Sequence, residues 1–256
     1  MKALILSDLH LYFWYNQNEL DDYKKNISKI TSKEFDCIII SGDIFEADMI
    51  GTSINPYKFL SDIFNVDCPI ICCLGNHEFA YKSISEVYDW FSSFTEKYNV
   101  HILDIEGHYT YNGFNFIGNV FWYDNTLAGN FLNKPDVIIK NWLDSTIKDF
   151  IPSIENSICK KQIIDNLSIE YPNILVTHTV PHWKLNWFSI NQPDSLYNQY
   201  SGCKDFLIGL NNIKWCFCGH THRRITDTIY NINCMNIGND YLRQYYNEVK
   251  HEIVEL

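Results

Sequence analysis

Five short polar motifs in this sequence each follow an apolar run, and each contains side chains that can bind a metal ion. The motifs are Asp8-Leu9-His10, Gly42-Asp43, Gly75-Asn76-His77-Glu78, His178 and Gly219-His220-Thr221-His222. The runs before them are rich in Ile, Leu, Val and Cys, which is typical of buried β-strands. Ligand-binding residues of open α/β sheets gather beyond the carboxyl ends of the strands. If the five strands are parallel neighbours, we expect these side chains to converge at one edge.

The residue types in these motifs indicate a site for two divalent metal ions. Asp8 and His10 are one residue apart, so an extended segment would point both side chains the same way, and His220 and His222 repeat this spacing. Carboxylate, imidazole and amide ligands without thiolate favour Mn²⁺, with Fe or Zn²⁺ as alternatives. Two such ions would attract a phosphate, generate hydroxide at neutral pH and stabilise both oxygens of an in-line displacement.

The elements that must position the first three motifs alternate between strands and helices. The pattern predicts strands over Lys2–Ser7, Cys37–Ser41 and Pro69–Leu74, and helices over Glu19–Ser32, Pro56–Phe64 and about Ser83–Tyr98. This alternation indicates a layered α/β fold with a largely buried sheet.

The second half of the chain is predicted to mix hairpins with helices. Asn112-Gly113 lies between two strand-like runs and is a strong signal for a two-residue hairpin turn. Two helices are predicted over about Asp136–Phe150 and Glu155–Glu170, and strands over Asn173–Thr177, Lys214–Cys218, Ile225–Tyr230, Cys234–Ile237 and Val249–Val254. The sequence contains no internal repeat and no linker-like stretch. We therefore expect a single domain over residues 1–256, with two sheets between helices.

The composition narrows the class of protein and its partners. The chain has 256 residues, 46% of them hydrophobic, which excludes a disordered protein, a collagen-like repeat and a small disulfide scaffold. A net charge of −11 argues against an extended nucleic-acid surface or an anionic membrane as partner. Asp8 interrupts the N-terminal apolar run, and no run approaches the ~20 residues of a membrane helix. With nine cysteines, odd in number and partly within apolar runs, these features predict a cytoplasmic protein.

Taken in order, the five motifs resemble those of the calcineurin-like metallophosphoesterase family, with its small bacterial-type phosphohydrolases the most similar. The likeness extends from Asp8 to His222. It implies a four-layer αββα sandwich, in which two mixed sheets are flanked by helices, and a dinuclear metal site. By this resemblance two ligand sets share a bridging Asp43: Asp8, His10, Asp43 and His222 for one ion, and Asp43, Asn76, His178 and His220 for the other.

The resemblance also implies a catalytic histidine that is not a metal ligand. His77 would protonate the leaving alkoxide or stabilise charge in the transition state. Many members of the family orient this histidine with an Asp three residues after the bridging Asp, where this chain has Glu46. Either Glu46 or the nearby Asp48 would take that role. The chain lacks the Gly-Asp-x-x-Asp-Arg-Gly pattern, which argues against the protein Ser/Thr phosphatase branch.

Three residues near the motifs are candidates for contact with a substrate. His182 lies four residues after His178, Arg223 follows His222 directly, and Trp14 belongs to an aromatic run after the first motif. An aromatic face there would stack on a nucleobase, and an arginine would bind a phosphate. Packing at the rim and a solvated strand start are the alternative interpretations for Trp14 and Arg223.

These observations predict a metal-dependent phosphoesterase in which a metal-bridging hydroxide attacks the phosphorus in line. The predicted partner is a small phosphorylated substrate, with a phosphodiester or a nucleotide favoured, and the oligomeric state stays open. A phosphomonoesterase acting on a small metabolite would use the same metal core. A DNA nuclease of the Mre11 type would have a basic surface and a capping domain. A non-catalytic scaffold on the same fold would have lost metal ligands, whereas all seven ligand positions are present here.

Overall fold

Two β-sheets lie face to face in the computed structural model of the protein, which describes residues 1–11, 20–31, 33–129, 138–192, 195–239 and 249–256. The strands are β1 (Lys2–Leu6), β2 (Cys37–Ser41), β3 (Ile70–Cys73), β4 (Val100–Ile102), β5 (His108–Tyr111), β6 (Phe114–Asn119), β7 (Asn173–Thr177), β8 (Ile213–Cys218), β9 (Ile225–Ile229), β10 (Ile232–Asn236) and β11 (Glu252–Glu255). The first sheet has the order β11-β1-β2-β3-β4 and the second the order β5-β6-β7-β8-β10-β9.

Both sheets are mixed, with a parallel centre. β1 to β4 run parallel to one another and β11 pairs antiparallel with β1. In the second sheet β6, β7, β8 and β10 are parallel, and β5 and β9 form antiparallel edges. β11, formed by residues near the end of the chain, thus pairs with the first strand and completes the edge of the first sheet.

Burial on both faces explains why the central strands are continuous apolar runs. Successive side chains of a strand point to opposite faces of the sheet. In β1, Ala3 and Ile5 pack with Ile174 and Phe217 of the second sheet, whereas Leu4 and its like-facing neighbours pack with the helices. The core between the sheets and the core beneath the helices are thus built from alternate residues of the same strands.

Helices cover the outer faces of both sheets. The helices are α1 (Leu20–Thr31), α2 (Pro56–Phe64), α3 (Ile84–Ser92), α4 (Leu103–Glu106), α5 (Pro152–Asp165) and α6 (Trp187–Asn191). α1 buries Tyr23, Ile27 and Ile30, which the helical period places on one face. α2 begins where the Asn55 side chain accepts hydrogen bonds from two backbone N–H groups and Pro56 takes the first position. The predicted four-layer αββα sandwich is confirmed.

One predicted helix is wrong in the described part of the chain. Instead of a helix over about Asp136–Phe150, residues 138–150 contain a single 3₁₀ turn at Leu143–Thr146. Ser145 Oγ donates to the Lys140 carbonyl and Thr146 Oγ1 to the Leu143 carbonyl. Such local side-chain bonds to the backbone compete with helix formation.

Two other helices are shorter than the sequence indicates. α3 ends at Ser92 rather than near Tyr98, with Ser93 Oγ donating to the Trp90 carbonyl just beyond its end. The helix predicted over Glu155–Glu170 forms as α5, over Pro152–Asp165. Both positions were predicted correctly, and only their ends shifted.

The nine cysteines are all free thiols, and eight of them are buried, with Cys68 half-buried. They fill the core as small apolar side chains, as the irregular spacing predicts. Within the described ranges, none of the helices has both the length and the apolar character needed to cross a membrane.

Candidate metal centre

The polar motifs converge where the carboxyl ends of the two sheets meet. β1, β2 and β3 belong to the first sheet, whereas β7 and β8 belong to the second. The five strands are therefore not parallel neighbours in one sheet. The stacking of the two sheets brings the motifs together instead. Gly42 makes this approach sterically feasible, since it has φ +81° and a Cβ there would lie 2.4 Å from His178 Nδ1.

A first cluster combines four buried side chains from three loops. One ligand atom from each of Asp8, His10, Asp43 and His222 lies within 4.8 Å of all the others. His10 Nε2 is 3.9 Å from Asp43 Oδ2, and His222 Nε2 is 3.8 Å from Asp8 Oδ1. These spacings leave room for one ion between the four groups.

A second cluster shares Asp43 with the first. Ligand atoms of Asp43, His178 and His220 also lie within 4.8 Å of one another. His178 Nε2 is 3.2 Å from Asp43 Oδ2 and 3.0 Å from Asn76 Oδ1, and His220 Nδ1 is 3.1 Å from the same amide oxygen. Asp43 is therefore the carboxylate that both clusters have in common.

The histidines present a lone pair to the clusters. Three of them place one ring nitrogen beside a backbone carbonyl outside the clusters: His178 Nδ1 at 3.0 Å from Ser41, His220 Nε2 at 3.0 Å from Tyr200, and His222 Nδ1 beside Asn239. A carbonyl oxygen only accepts, so these nitrogens carry the proton and the opposite nitrogen of a neutral ring faces inward without one. Histidines that bind metals have this arrangement.

His10 follows the same pattern with a carboxylate in place of a carbonyl. Its Nδ1 is 2.8 Å from Glu46 Oε1, whereas its Nε2 is buried and has no hydrogen-bond partner within the part of the chain that the structure describes. Inward lone pairs that face carboxylate and amide oxygens repel each other unless a cation lies between them. The donor set therefore fits divalent metal ions.

The electrostatics of the site favour positive charge. Burial alone would raise the pKa of Asp43, but the nearby His178 and His77 hold it well below its ordinary value. Burial would lower the pKa of His178, yet Asp43 outweighs it and raises that pKa to about 9, so a proton and a metal ion compete for the inward-facing Nε2. Desolvation, together with the charge of His178, lowers the pKa of His220 to about 3. The buried carboxylates thus stabilise a cation in their midst.

Five of the seven predicted ligands have a positive φ angle. They are Asp8 (53°), His10 (48°), Asp43 (48°), His220 (65°) and His222 (51°). Non-glycine residues rarely adopt this conformation, and such strain gathers at functional sites. The extended segment predicted for Asp8 and His10 is wrong. Their loop is instead fixed to the next one, where the amides of Leu9 and His10 donate to the Asp43 carbonyl.

His77 lies beside the two clusters, and Glu46 contacts it. Its Nδ1 is 3.0 Å from Glu46 Oε2, and the same carboxylate also reaches His10. Burial would lower the pKa of His77, but Asp43 and Glu46 raise it to about 10. The two histidines lower the pKa of Glu46 to about 2 against the effect of its burial. Asp48 is exposed on the 3₁₀ turn Ala47–Met49.

Glu78 connects two of the ligand loops, a role that the sequence does not reveal. It is fully buried, and its carboxylate accepts hydrogen bonds from the backbone N–H groups of Ile44, Phe45 and Gly75 at 2.7–2.8 Å. Burial raises the pKa of Glu78 to about 8. Its place in the motif Gly75-Asn76-His77-Glu78 was the only signal available.

Asp144 was also missed, because nothing in the sequence relates it to the motifs. This buried carboxylate accepts from Asn76 Nδ2 at 2.8 Å and from Trp142 Nε1 at 2.9 Å. The first bond fixes the Asn76 carboxamide so that its oxygen faces His178 and His220. Asn239 acts similarly in the first cluster, since its N–H donates to Asp8 Oδ2 at 3.3 Å and its carbonyl accepts from His222.

A cavity of about 350 Å³ opens directly above the clusters. Its floor is formed by Asp43, Asn76, His220 and His222 together with His77. The remaining lining residues form its wall: Trp142, Leu143, Phe188, Gln192, Tyr197, Ser201 and Thr221. A phosphate ester in this cavity would lie against the clusters and the candidate acid at once.

Two of the three predicted substrate contacts, His182 and Arg223, are not among the described residues that line this cavity. His182 is buried, and its Nδ1 accepts from the Lys184 N–H at 3.2 Å, which caps a 3₁₀ turn. The exposed Arg223 guanidinium lies 5.4 Å from the centre of the Trp187 ring. Trp14 lies outside the described residues.

Comparison with known proteins agrees with the fold. Two similar solved structures are a phosphopantetheinyl hydrolase from Mycobacterium tuberculosis (15% identity, TM-score 0.66, 98% of this chain and 95% of that one) and the protein TT1561 of Thermus thermophilus (12% identity, TM-score 0.57, 98% and 97%). At these identities they support the fold alone. No curated protein matches the sequence. The family described as calcineurin-like phosphoesterase matches residues 1–224. The chain therefore belongs to the calcineurin-like phosphoesterase family.

Proposed function

We propose that this protein is a phosphodiesterase that hydrolyses a phosphodiester or a nucleotide-type phosphate ester with two divalent metal ions. Membership of the family supports a metal-dependent phosphoester hydrolase. The observation that carries the proposal further is the inward-facing nitrogen on each of four histidines, set against the oxygens of two buried carboxylates and one amide.

The ligand assignment follows the two clusters. One ion is assigned to Asp8, His10, Asp43 and His222, and the other to Asp43, Asn76, His178 and His220. Two divalent ions, with Mn²⁺ favoured and Fe or Zn²⁺ as alternatives, supply hydroxide at neutral pH and neutralise charge on the phosphate oxygens. Hydrogen bonds from the Leu9 and His10 amides to the Asp43 carbonyl hold two of the ligand loops together.

His77 is assigned as the general acid. It lines the cavity and its Nδ1 is held by Glu46, so the ring is oriented with Nε2 directed away from that carboxylate. The Glu46 carboxylate beside Nδ1 favours the protonated form of the ring. A positioned proton donor of this kind assists departure of the alkoxide. Glu46 is assigned as the residue that orients it.

The cavity favours a diester over a monoester. Among the described residues that line it there is neither a lysine nor an arginine. A phosphomonoester carries up to two negative charges, whereas a diester carries one and has a second organic group to bury. The wall formed by Trp142, Leu143, Phe188 and Tyr197 offers apolar surface for such a group.

The test of the proposed function compares bis-p-nitrophenyl phosphate with p-nitrophenyl phosphate, using chelator-stripped protein with and without added Mn²⁺. We expect turnover only after Mn²⁺ is restored, with a higher kcat/KM on the diester. Equal rates with and without metal would contradict the metal-dependent mechanism. A clear preference for the monoester would replace phosphodiesterase by phosphomonoesterase.

We expect Asp144→Asn to weaken binding of one metal ion and spare the other. An Asn side chain has one oxygen for the two donors, Asn76 Nδ2 and Trp142 Nε1, so the Asn76 carboxamide loses its fixed orientation. Loss of such an outer partner typically costs 10–100-fold in metal affinity. Calorimetric titration of stripped protein with Mn²⁺ measures both sites, and Asp48→Asn is the control for the lost charge. Two unchanged sites in Asp144→Asn would refute this role.

A further inference from the structure

The wall of the cavity opposite the metal ligands is a cluster of aromatic rings. The rings of Trp142 and Tyr197 are 5.5 Å apart, and those of Phe188 and Tyr197 are 6.3 Å apart. All three residues line the same cavity as His77 and the predicted ligands. We call these three residues the aromatic wall.

The aromatic wall is accessible to solvent, in contrast to most aromatic side chains near it. Tyr197 is 52% exposed and both other rings are partly exposed, whereas Trp122, Tyr123 and Tyr200 are fully buried. Partly exposed aromatic side chains that line a cavity are typical of small-molecule sites. Because the cavity also contains the predicted ligands, these rings would contact the organic part of a phosphate ester bound there.

Several contacts hold the aromatic wall in place before any ligand binds. Trp142 stacks on Tyr200 with ring centres 4.9 Å apart, and its indole N–H donates to Asp144. Asp144 also holds the predicted ligand Asn76, so one carboxylate fixes the distance between the wall and the metal centre. Phe188 lies in the first turn of α6, where its N–H donates to the Asn186 side chain. A prearranged surface loses little entropy when a ligand binds.

The chemistry of the wall matches a planar heteroaromatic ring with polar edges. Aromatic side chains stack on nucleobases and tolerate different bases. Gln192, which is exposed, lines the same cavity and supplies an amide group for hydrogen bonds to the edge of a ring. At about 350 Å³ the cavity falls in the range of small-molecule sites.

We propose that the aromatic wall binds the nucleobase of a nucleoside phosphodiester whose phosphate lies on the metal centre. This inference rests on the proposed phosphodiesterase function. It names the organic group that the site recognises and the residues that recognise it: Trp142, Phe188 and Tyr197.

The test uses two diesters with the same leaving group, thymidine 5′-(p-nitrophenyl phosphate) and methyl p-nitrophenyl phosphate. The reacting bond is the same in both, so a difference in KM reports the contribution of the nucleoside. Base stacking predicts a KM roughly 5- to 150-fold lower for the thymidine ester. Equal KM values for the two esters would overturn the proposal.

Substitutions in the aromatic wall test whether its rings cause the preference for the thymidine ester. Tyr197→Ala and Phe188→Ala should each reduce the preference for the thymidine ester by about fivefold or more, the low end expected for one stacked ring. Ile190→Ala is the matched control, because Ile190 is 49% exposed on the same helix α6 and does not line the cavity. A preference that survives in both wall variants would place the nucleoside elsewhere and overturn the proposal.

A binding measurement separates this proposal from the proposed function. If neither ester is turned over by protein that contains two metal ions, the phosphodiesterase assignment fails. Calorimetric titration of the same metal-loaded protein with thymidine 5′-monophosphate then tests the wall through its variants, which leave the phosphate-binding metal centre unchanged. Saturable binding that weakens in Tyr197→Ala and Phe188→Ala, and not in Ile190→Ala, would support the wall as a nucleoside site. No saturable binding by the wild type would overturn it.

Discussion

The Asp43→Asn variant is expected to lose turnover of bis-p-nitrophenyl phosphate to background and to lose both metal ions. Asp43 is the one carboxylate shared by the two clusters of the described residues, with its Oδ2 3.2 Å from His178 Nε2 and 3.9 Å from His10 Nε2. Its Oδ1 accepts a hydrogen bond from the backbone N–H of His77 at 3.0 Å. An Asn that keeps this last bond directs its NH₂ group at the clusters, where a negative oxygen is needed.

The measurement pairs steady-state turnover with metal content after dialysis against Mn²⁺. Asp48→Asn removes the same charge five residues away, at an exposed position on the 3₁₀ turn. It should keep wild-type rate and two bound ions. Asn has nearly the same volume as Asp, so circular dichroism of Asp43→Asn should match the wild type. A folded Asp43→Asn variant with wild-type rate would refute the two-metal mechanism.

The position of the ligand motifs at strand ends was predictable from the sequence because strand and motif are adjacent in the chain. Each predicted ligand follows a buried apolar run, whereas the stacking of two sheets that brings these strand ends together was not predicted. Local signals were also sufficient for α2, where Asn55 and Pro56 mark the start and the helix spans Pro56–Phe64 as predicted. Fold class and candidate ligands therefore came from short-range patterns.

The features that the sequence did not predict depend on contacts between distant segments. The left-handed conformations of Asp8 and His10 arise because their loop is fixed to the loop that carries Asp43, through hydrogen bonds across more than thirty residues. Asp144 meets Asn76 across 68 residues of chain, and its own segment resembles a helix in its periodicity. Tertiary bonds of this kind override local propensity.

The choice between Glu46 and Asp48 shows the same limit. Both carboxylates stand close to Asp43 in the chain, and only the backbone path decides which one faces His77. In the structure Glu46 lies 3.0 Å from His77 Nδ1 and 2.8 Å from His10 Nδ1, whereas Asp48 is exposed. The extra methylene of Glu, compared with the Asp of many family members, still allows contact with the histidine.

His77→Ala is expected to lower kcat on a diester with an alkoxide leaving group by roughly 10²–10⁴ while two metal ions stay bound, the range for loss of a positioned proton donor. The ring lines the cavity beside the clusters and belongs to neither of the two that share Asp43. His77, His10 and Glu46 also lie close enough together to hold an ion. The amount of bound metal therefore decides whether His77 is a ligand. If His77→Ala loses an ion as well as activity, His77 is a ligand rather than an acid.

The Glu46→Gln variant tests whether Glu46 orients His77, because the His77 ring itself stays in place. The Gln oxygen still accepts a hydrogen bond from His77 Nδ1–H but carries no charge, so kcat should fall less than in His77→Ala. In the double variant the Glu46 substitution should add little, because Glu46 acts through the ring that has been removed. Asp48→Asn again serves as the control and should leave kcat unchanged. Independent, additive losses in the double variant would mean that Glu46 acts on the metal centre through His10 instead, since its carboxylate contacts both histidines.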